Sequence, residues 1–388
     1  MRVVGSVLLV LLLAAAALLL AQAQRYGATP EFKAWADRMR AQHSELRIQD
    51  WRPERSDIVL ATRVPRAKFP VVDVHNHIAY DGNEQAIAKA VGEMDAANVR
   101  TVVALTGGWG DQLQQNLKHL QDRYQGRFVV CTQIDFSRID EPDFSVNQTR
   151  ALEEAHRRGA RGLKITKDLG CYLKEKGGKY VAVNDRRLDS IWAKAGDLGM
   201  PVFIHTADPI GFFKPWDERN ETYPNLLRSP HWWFYGDDHT GTKRFTHEEL
   251  MQQRNDIVER HKKTTFVALH YASMEHDLGA LGALLDKYPN MMVEMGARSW
   301  TLPSKPNSGR KFAARYQDRI LFGTDAPIGQ SMYEGYFRTL ETDDDLIDTR
   351  RTWGPTFGLK LPDEVLQKIY NGNAKKVFAS LRQSALAR

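Results

Sequence analysis

Residues 71–80 read "VVDVHNHIAY". An apolar run, Val71 to Val74, is interrupted by one aspartate and ends in two histidines, His75 and His77, one residue apart. The pair alone says little: with 12 histidines in 388 residues, roughly 0.4 such pairs arise by chance. Its weight depends on what else in the chain points to the same place.

Working outward from Pro70, short β-branched runs alternate with segments of helical period. The runs are "VVDVH" (71–75), "RTVVALT" (100–106), "RFVVCTQID" (127–135), "RGLKIT" (161–166), "PVFIHT" (201–206), "TTFVALH" (264–270), "MMVEMG" (291–296) and "RILFGTD" (319–325). They are nearly continuous in apolar character, as strands buried on both faces of a parallel sheet are. Between the first two, Ile87, Val91, Met94 and Ala97 recur at helical spacing and mark one buried stripe. Gly159 and Gly199 stand where helix C-caps belong, just before the next strand.

Eight strands, each followed by a helix, predict an α/β protein with a (β/α)8 TIM barrel over residues 70–384. A doubly wound sheet also alternates strand and helix, but no Gly-rich dinucleotide fingerprint follows any of these strands. "TGGWG" (106–110) reads as a tight strand-to-helix turn. Two connections are long: residues 207–246 after strand five and 326–360 after strand eight. Long loops tend to be functional, and in a barrel both emerge at the active-site end. The aromatic "HWWFYG" (231–236) is expected to pack its own loop down rather than to stack on a ligand.

Residues 1–23 have the composition of a secretory signal peptide, with an early Arg2, the apolar "VLLVLLLAAAALLLA" and small residues Ala21 and Ala23 before an expected cut. An uncleaved membrane anchor is the alternative, since the run is near bilayer-spanning length. The protein is therefore expected outside the cytoplasm, periplasmic or secreted, with no stable membrane association after cleavage. Residues 24–69 read as a leader packed on the main domain. With 42% hydrophobic and 26% charged residues the chain is globular rather than disordered. A net charge of +6 comes from Lys and Arg mixed with acids, without a basic helix, so nucleic-acid binding is not expected. Cys131 and Cys171 are too few for a disulfide framework, and their contexts do not say whether they approach.

The chemistry gathers at the C-terminal ends of the expected strands. Strand one ends in His75 and His77, strand five in His205, strand six in His270 and strand eight in Asp325, while strand four carries Lys164. A barrel brings these ends to one rim. Alternate residues of a strand share a face, so His75 and His77 are expected to point inward and Asn76 away. Asp73 shares the parity of His75 and is expected on the same side. Two imidazoles, a third from strand five and a carboxylate suit Zn²⁺ or a similar divalent ion. Arg298, after strand seven, and Lys164 would put cations at the mouth, suited to a carboxylate-bearing substrate. Ordinary salt bridges are the equal alternative for them.

"DVHNH", "GLKI", "IHTAD", "ALH" and "FGTD", in this order, resemble the amidohydrolase superfamily. The closest branch is the amidohydrolase-related (amidohydrolase 2) group, which also holds aminocarboxymuconate-semialdehyde decarboxylase and its relatives. The resemblance covers about residues 65–380 and includes the closing "KIYNGNAKKVF" (368–378). It implies that His75, His77, His205 and Asp325 hold one divalent metal, with zinc expected. It implies that His270 assists as an acid/base or electrostatic partner and that Asp325 also takes a proton. Lys164 occupies the position where some members carry a carbamylated, metal-bridging lysine. A substrate-facing or salt-bridged lysine is the preferred alternative here. The implied activity is a metal-dependent hydrolase whose activated water attacks a C–N or C–O bond of a small molecule. A carboxy-lyase is the second expectation, and a non-catalytic exported binding protein the third. Oligomeric state is left open.

Overall fold

Eight parallel strands follow one another in chain order, β1 to β8, each bonded to the next. They are β1 Val71–Asn76, β2 Val99–Ala104, β3 Phe128–Thr132, β4 Gly162–Ile165, β5 Val202–Ile204, β6 Phe266–Ala268, β7 Met291–Glu294 and β8 Ile320–Leu321. Backbone hydrogen bonds from Val74 N to Phe322 O (2.9 Å) and from Asp325 N to His75 O (2.7 Å) join the chain after β8 to β1. This is the expected barrel. The computed structural model describes residues 29–47, 50–53, 56, 58–59, 61–347 and 355–378. The expected signal peptide, residues 1–23, lies outside the described residues.

The strands are shorter than the apolar runs at their C-terminal ends, so His205, His270 and Asp325 sit in the turns just beyond β5, β6 and β8. The backbone there is left-handed at Ala207, at His270 to Ser273, at Ala297 and at Asp325. A non-glycine residue in that region costs about 1–2 kcal/mol, so each needs surrounding bonds to hold it.

Inside the barrel Val72, Val74, Val103, Leu105, Phe203, Val267 and Leu321 pack together, although they come from five different strands or their ends. Ala374 and Phe378 of the closing segment join the same cluster, and the Phe378 ring stacks on Phe203 at 5.8 Å. The floor of the barrel is thus filled, and the free space is left to the other end. Outside, helix Glu84–Ala97 buries Ile87, Met94 and Ala97. The Asn83 side chain caps its start (Ala86 N, 3.0 Å) and a left-handed Asn98 closes it. Helix His247–Arg260 opens on a capping box of Thr246 and Glu249.

The register of β1 corrects one expectation. Its pairing to β2 is irregular between Asp73 and Asn76, so strict alternation fails there. Val72 and Val74 face the interior, and so does His75, whereas Asp73 faces outward. Asp73 accepts from His75 N (3.1 Å), Thr324 N (3.0 Å), Thr324 Oγ1 (2.7 Å) and Tyr333 OH (3.0 Å). It ties β1 to the turn after β8 and to the outer helix Gln330–Glu341. Burial pushes its carboxyl up to about 7 against those hydrogen bonds. Asp73→Ala strands several buried donors at about 1–3 kcal/mol each, partly offset by removing a buried acid. We expect a net loss of about 2–4 kcal/mol in urea unfolding; a loss below about 1 kcal/mol would contradict this role.

The chain divides into two compact units, residues 1–58 and 59–388. In the first, helix Pro30–His43 has no buried residue. The end of the expected leader belongs to the second unit: Ala67 is buried and its N–H bonds Ala97 O (3.1 Å), while Arg66 reaches Asp95 O (2.6 Å). Loop 207–246 packs on itself as expected, through ring pairs Phe213–Phe234 (5.1 Å), Phe212–Trp232 (5.7 Å) and Trp216–Trp233 (6.2 Å). Cys131 and Cys171 are both buried and free. Among the described residues no helix is long and apolar enough to cross a membrane.

Candidate metal centre

At the open end the imidazoles converge. Ring centroids lie 5.3 Å apart for His75–His77, 5.0 Å for His75–His270 and 4.3 Å for His205–His270. Asp325 Oδ1 is 3.0 Å from His77 Nε2 and 3.5 Å from His75 Nε2, and Oδ2 is 3.8 Å from His270 Nε2. His75, His77 and Asp325 each offer one ligand atom within 4.8 Å of the others. His205 stands one ring further in, against His270, with its Nε2 3.5 Å from Asp208 Oδ1.

The other ring nitrogens decide what these atoms can do. His270 Nδ1 donates to Gly296 O at 2.7 Å. A carbonyl only accepts, so the proton is on Nδ1 and Nε2 presents a lone pair. His75 Nδ1 faces Glu294 Oε1 at 3.1 Å, which sets the same tautomer. His77 Nδ1 meets Thr106 Oγ1 at 2.6 Å. The Nε2 atoms of His75, His205 and His270 are buried and have no hydrogen-bond partner. A stranded buried acceptor costs about 1–3 kcal/mol. A cation at this point would engage these lone pairs together with Asp325, and the nitrogen and oxygen donors suit a divalent ion. The residues present therefore fit a metal.

Burial sets the protonation of the cluster. It lowers His75, His205 (to about 4) and His270 (well below its ordinary value), so all three are neutral donors of a lone pair at pH 7. For Asp325 burial acts upward, but the hydrogen bond from His77 and the charge of Lys164 overcome it. Its carboxyl is held well below the usual range. Asp208 behaves likewise: burial opposes ionisation, yet the cations Lys167 and Arg298 beside it help hold its carboxyl below the usual range.

Glu294, the last residue of β7, is joined to His75. Its oxygens also take His270 N (2.6 Å) and Gly296 N. A second cluster, His75, His270 and Glu294, has ligand atoms close together, but this carboxylate is already spent on those three donors. It aims the rings. Room for it exists because Gly296 and Gly323 lack side chains. A Cβ on Gly296 would fall 2.6 Å from Glu294 Oε2 and 2.8 Å from His75 Nδ1, and one on Gly323 would overlap Glu294. Glu294→Gln keeps the volume and removes the charge behind His75. We expect metal affinity to fall about 10–100-fold, read by calorimetric titration of the metal-free protein; an unchanged affinity would remove this role.

The left-handed turn that carries His270 is held from several sides. Arg254, fully buried, donates to Ala272 O at 2.5 Å, Ser273 Oγ donates to Thr206 O at 2.7 Å, and His247 Nε2 donates to Ser273 O at 3.0 Å. Lys164 points inward, since Leu163 and Ile165 on either side join the outer core. It is buried, and burial lowers it to about 8 while Asp325 and Glu294 pull it back up. Arg298 is engaged by protein groups: Nε bonds Glu275 Oε1 (3.0 Å), Nη1 bonds Ala297 O (3.1 Å) and Nη2 is 4.0 Å from Asp208 Oδ1. For Arg298 the salt-bridge alternative describes what is found. Asp208 and its 2.5 Å partner Lys167 escaped the sequence reading. Asp208 sits three residues after His205 in "IHTADP", so the signal was in view.

The family profile described as Amidohydrolase matches residues 72–379. None of the curated proteins compared with the chain matches it. Solved structures share the fold. A TIM-barrel protein from Bordetella bronchiseptica is 14% identical, with a TM-score of 0.50, over 81% of this chain and 100% of that one. A dihydroxybenzoic acid decarboxylase from Polaromonas sp. JS666, solved with manganese and the inhibitor 2-nitroresorcinol, is 14% identical with a TM-score of 0.50, over 82% and 100%. A 4-oxalomesaconate hydratase from Rhodopseudomonas palustris is 14% identical with a TM-score of 0.48, over 82% and 98%.

Proposed function

The chain belongs to the amidohydrolase family, and on that premise we propose that it is a metal-dependent hydrolase acting on a C–N or C–O bond of a small molecule. The observation that carries the proposal is the set of three buried Nε2 atoms without partners, grouped beside an ionised Asp325. In this reading His75, His77, His205 and Asp325 hold one divalent ion, and the nitrogen-rich set favours zinc. When bound, such an ion supplies a Lewis acid that polarises a substrate oxygen and acidifies a nearby water.

The chain's own groups do the rest. Asp325 takes the proton of the attacking water. The His270 lone pair accepts a hydrogen bond from that water and orients it, because its Nδ1 is tied to Gly296 O. Lys164 stabilises negative charge that develops on the substrate, in a site where burial strengthens electrostatics. The reading of residues 1–23 as a signal peptide places this activity outside the cytoplasm.

A second reading, a carboxy-lyase, is favoured by Lys164: a buried amine facing the centre is a partner for a substrate carboxylate. The decarboxylase of like fold agrees with it. One experiment separates the two. Metal-loaded protein is offered a panel of esters and amides, and separately a panel of aromatic and enoic carboxylates with CO₂ release as the readout. Ester or amide turnover without CO₂ is expected, CO₂ release alone would replace the hydrolase, and failure to bind one divalent ion per chain would remove both.

A further inference from the structure

We infer that the substrate presents an uncharged, apolar group to one side of the metal centre, and that Ile78, Ala90 and Ile328 select it. The inference rests on the reading of His75, His77 and Asp325 as a cation site. The centre meets solvent unevenly: the His77 side chain is 49% exposed, against 1% for His75 and 2% for His270. A cavity of about 410 Å³ opens on that exposed side, next to His77 and Asp325. This is within the range of small-ligand sites, about 300–1,000 Å³.

Its remaining walls are Ile78, Ala90, Ala326, Pro327, Ile328 and the amide of Asn76. That amide is spent, since Asn76 Nδ2 donates to Ala326 O (2.7 Å) and its Oδ1 accepts from Ile78 N (2.9 Å). No lysine or arginine lines the space. Lys167 and Arg298 are instead paired with Asp208 and Glu275. A second carboxylate on the substrate would find no cation here and would face the negative charge of Asp325. An alkyl or aryl group would displace water from apolar walls, each buried methylene strengthening binding about fourfold.

The test uses zinc-loaded full chain and three hydroxamates, compounds that grip a metal through one common group. They are acetohydroxamate, hexanohydroxamate and the monohydroxamate of succinate, titrated by calorimetry. Hexanohydroxamate is expected to bind at least about tenfold tighter than acetohydroxamate, and the succinyl compound no tighter than acetyl. Ile328→Asp and, independently, Ala90→Phe should collapse the hexanoyl-to-acetyl ratio towards one. A succinyl compound that binds better than the hexanoyl one, or a ratio that survives both substitutions, overturns the inference. If none of the three binds, the cation site itself fails and the inference with it.

Discussion

Asp325→Asn is expected to lower turnover by about 10²–10⁴-fold, the range for removing a positioned proton acceptor, with little change in melting temperature. The two halves of this result have separate causes. Asparagine keeps an oxygen toward the centre, but it cannot take a proton from water. Asp325 is held ionised by the hydrogen bond from His77 and the charge of Lys164 despite its burial, so the native side chain is ready for that task at neutral pH. The backbone at Asp325 is left-handed, with φ 52°. Asparagine tolerates that region better than most residues, so the turn after β8 should survive. Turnover and thermal unfolding are measured side by side on the substrate class found by the panel. A variant that retains more than about a tenth of native turnover would move the proton acceptor to another residue.

The second large effect is expected at His77. His77→Ala should weaken metal binding by at least about 100-fold, beyond what an outer partner such as Glu294 contributes. The residue is half-exposed and its ring touches Thr106 at the rim. Its removal takes one hydrogen bond from Asp325, which is partly exposed and keeps Lys164 nearby. His75→Ala differs: it takes one of three donors from the buried Glu294, a loss of about 1–3 kcal/mol, so loss of metal and loss of stability would be confounded. A metal present at 100 times its dissociation constant stabilises the native protein by about 2.7 kcal/mol. The native protein should therefore melt earlier when a chelator is added, and His77→Ala should melt at the same temperature with or without it. A chelator response of native size in the variant would show that His77 is not a ligand.

Much of the site could be read before the fold was seen. Each of the eight apolar runs holds one strand, because a strand buried on both faces needs continuous apolar character. The helix stripe of Ile87, Met94 and Ala97 is buried as its spacing predicts, with Val91 half-buried at its margin. Other features stayed hidden. Asp73 was assigned to the wrong side, because a register irregularity in β1 changes which residues face in. Glu294 could not be told from an ordinary salt-bridge partner, because its distinction is three donors brought from β1, β6 and β7. Arg298 looked available to a substrate, because the Glu275 that occupies it lies 23 residues away.

Sequence by itself determined the order of the barrel and the residue types at its rim. Strand period, helix stripes and cap residues are local properties, written in the spacing of side chains along one stretch of chain. Tertiary structure alone decided which nitrogen of each imidazole is bare. It also decided which carboxylate orients and which faces the open cavity, and which cations are already paired. Those outcomes depend on atoms from strands hundreds of residues apart meeting within hydrogen-bond distance, in a space where burial makes each unpaired group costly.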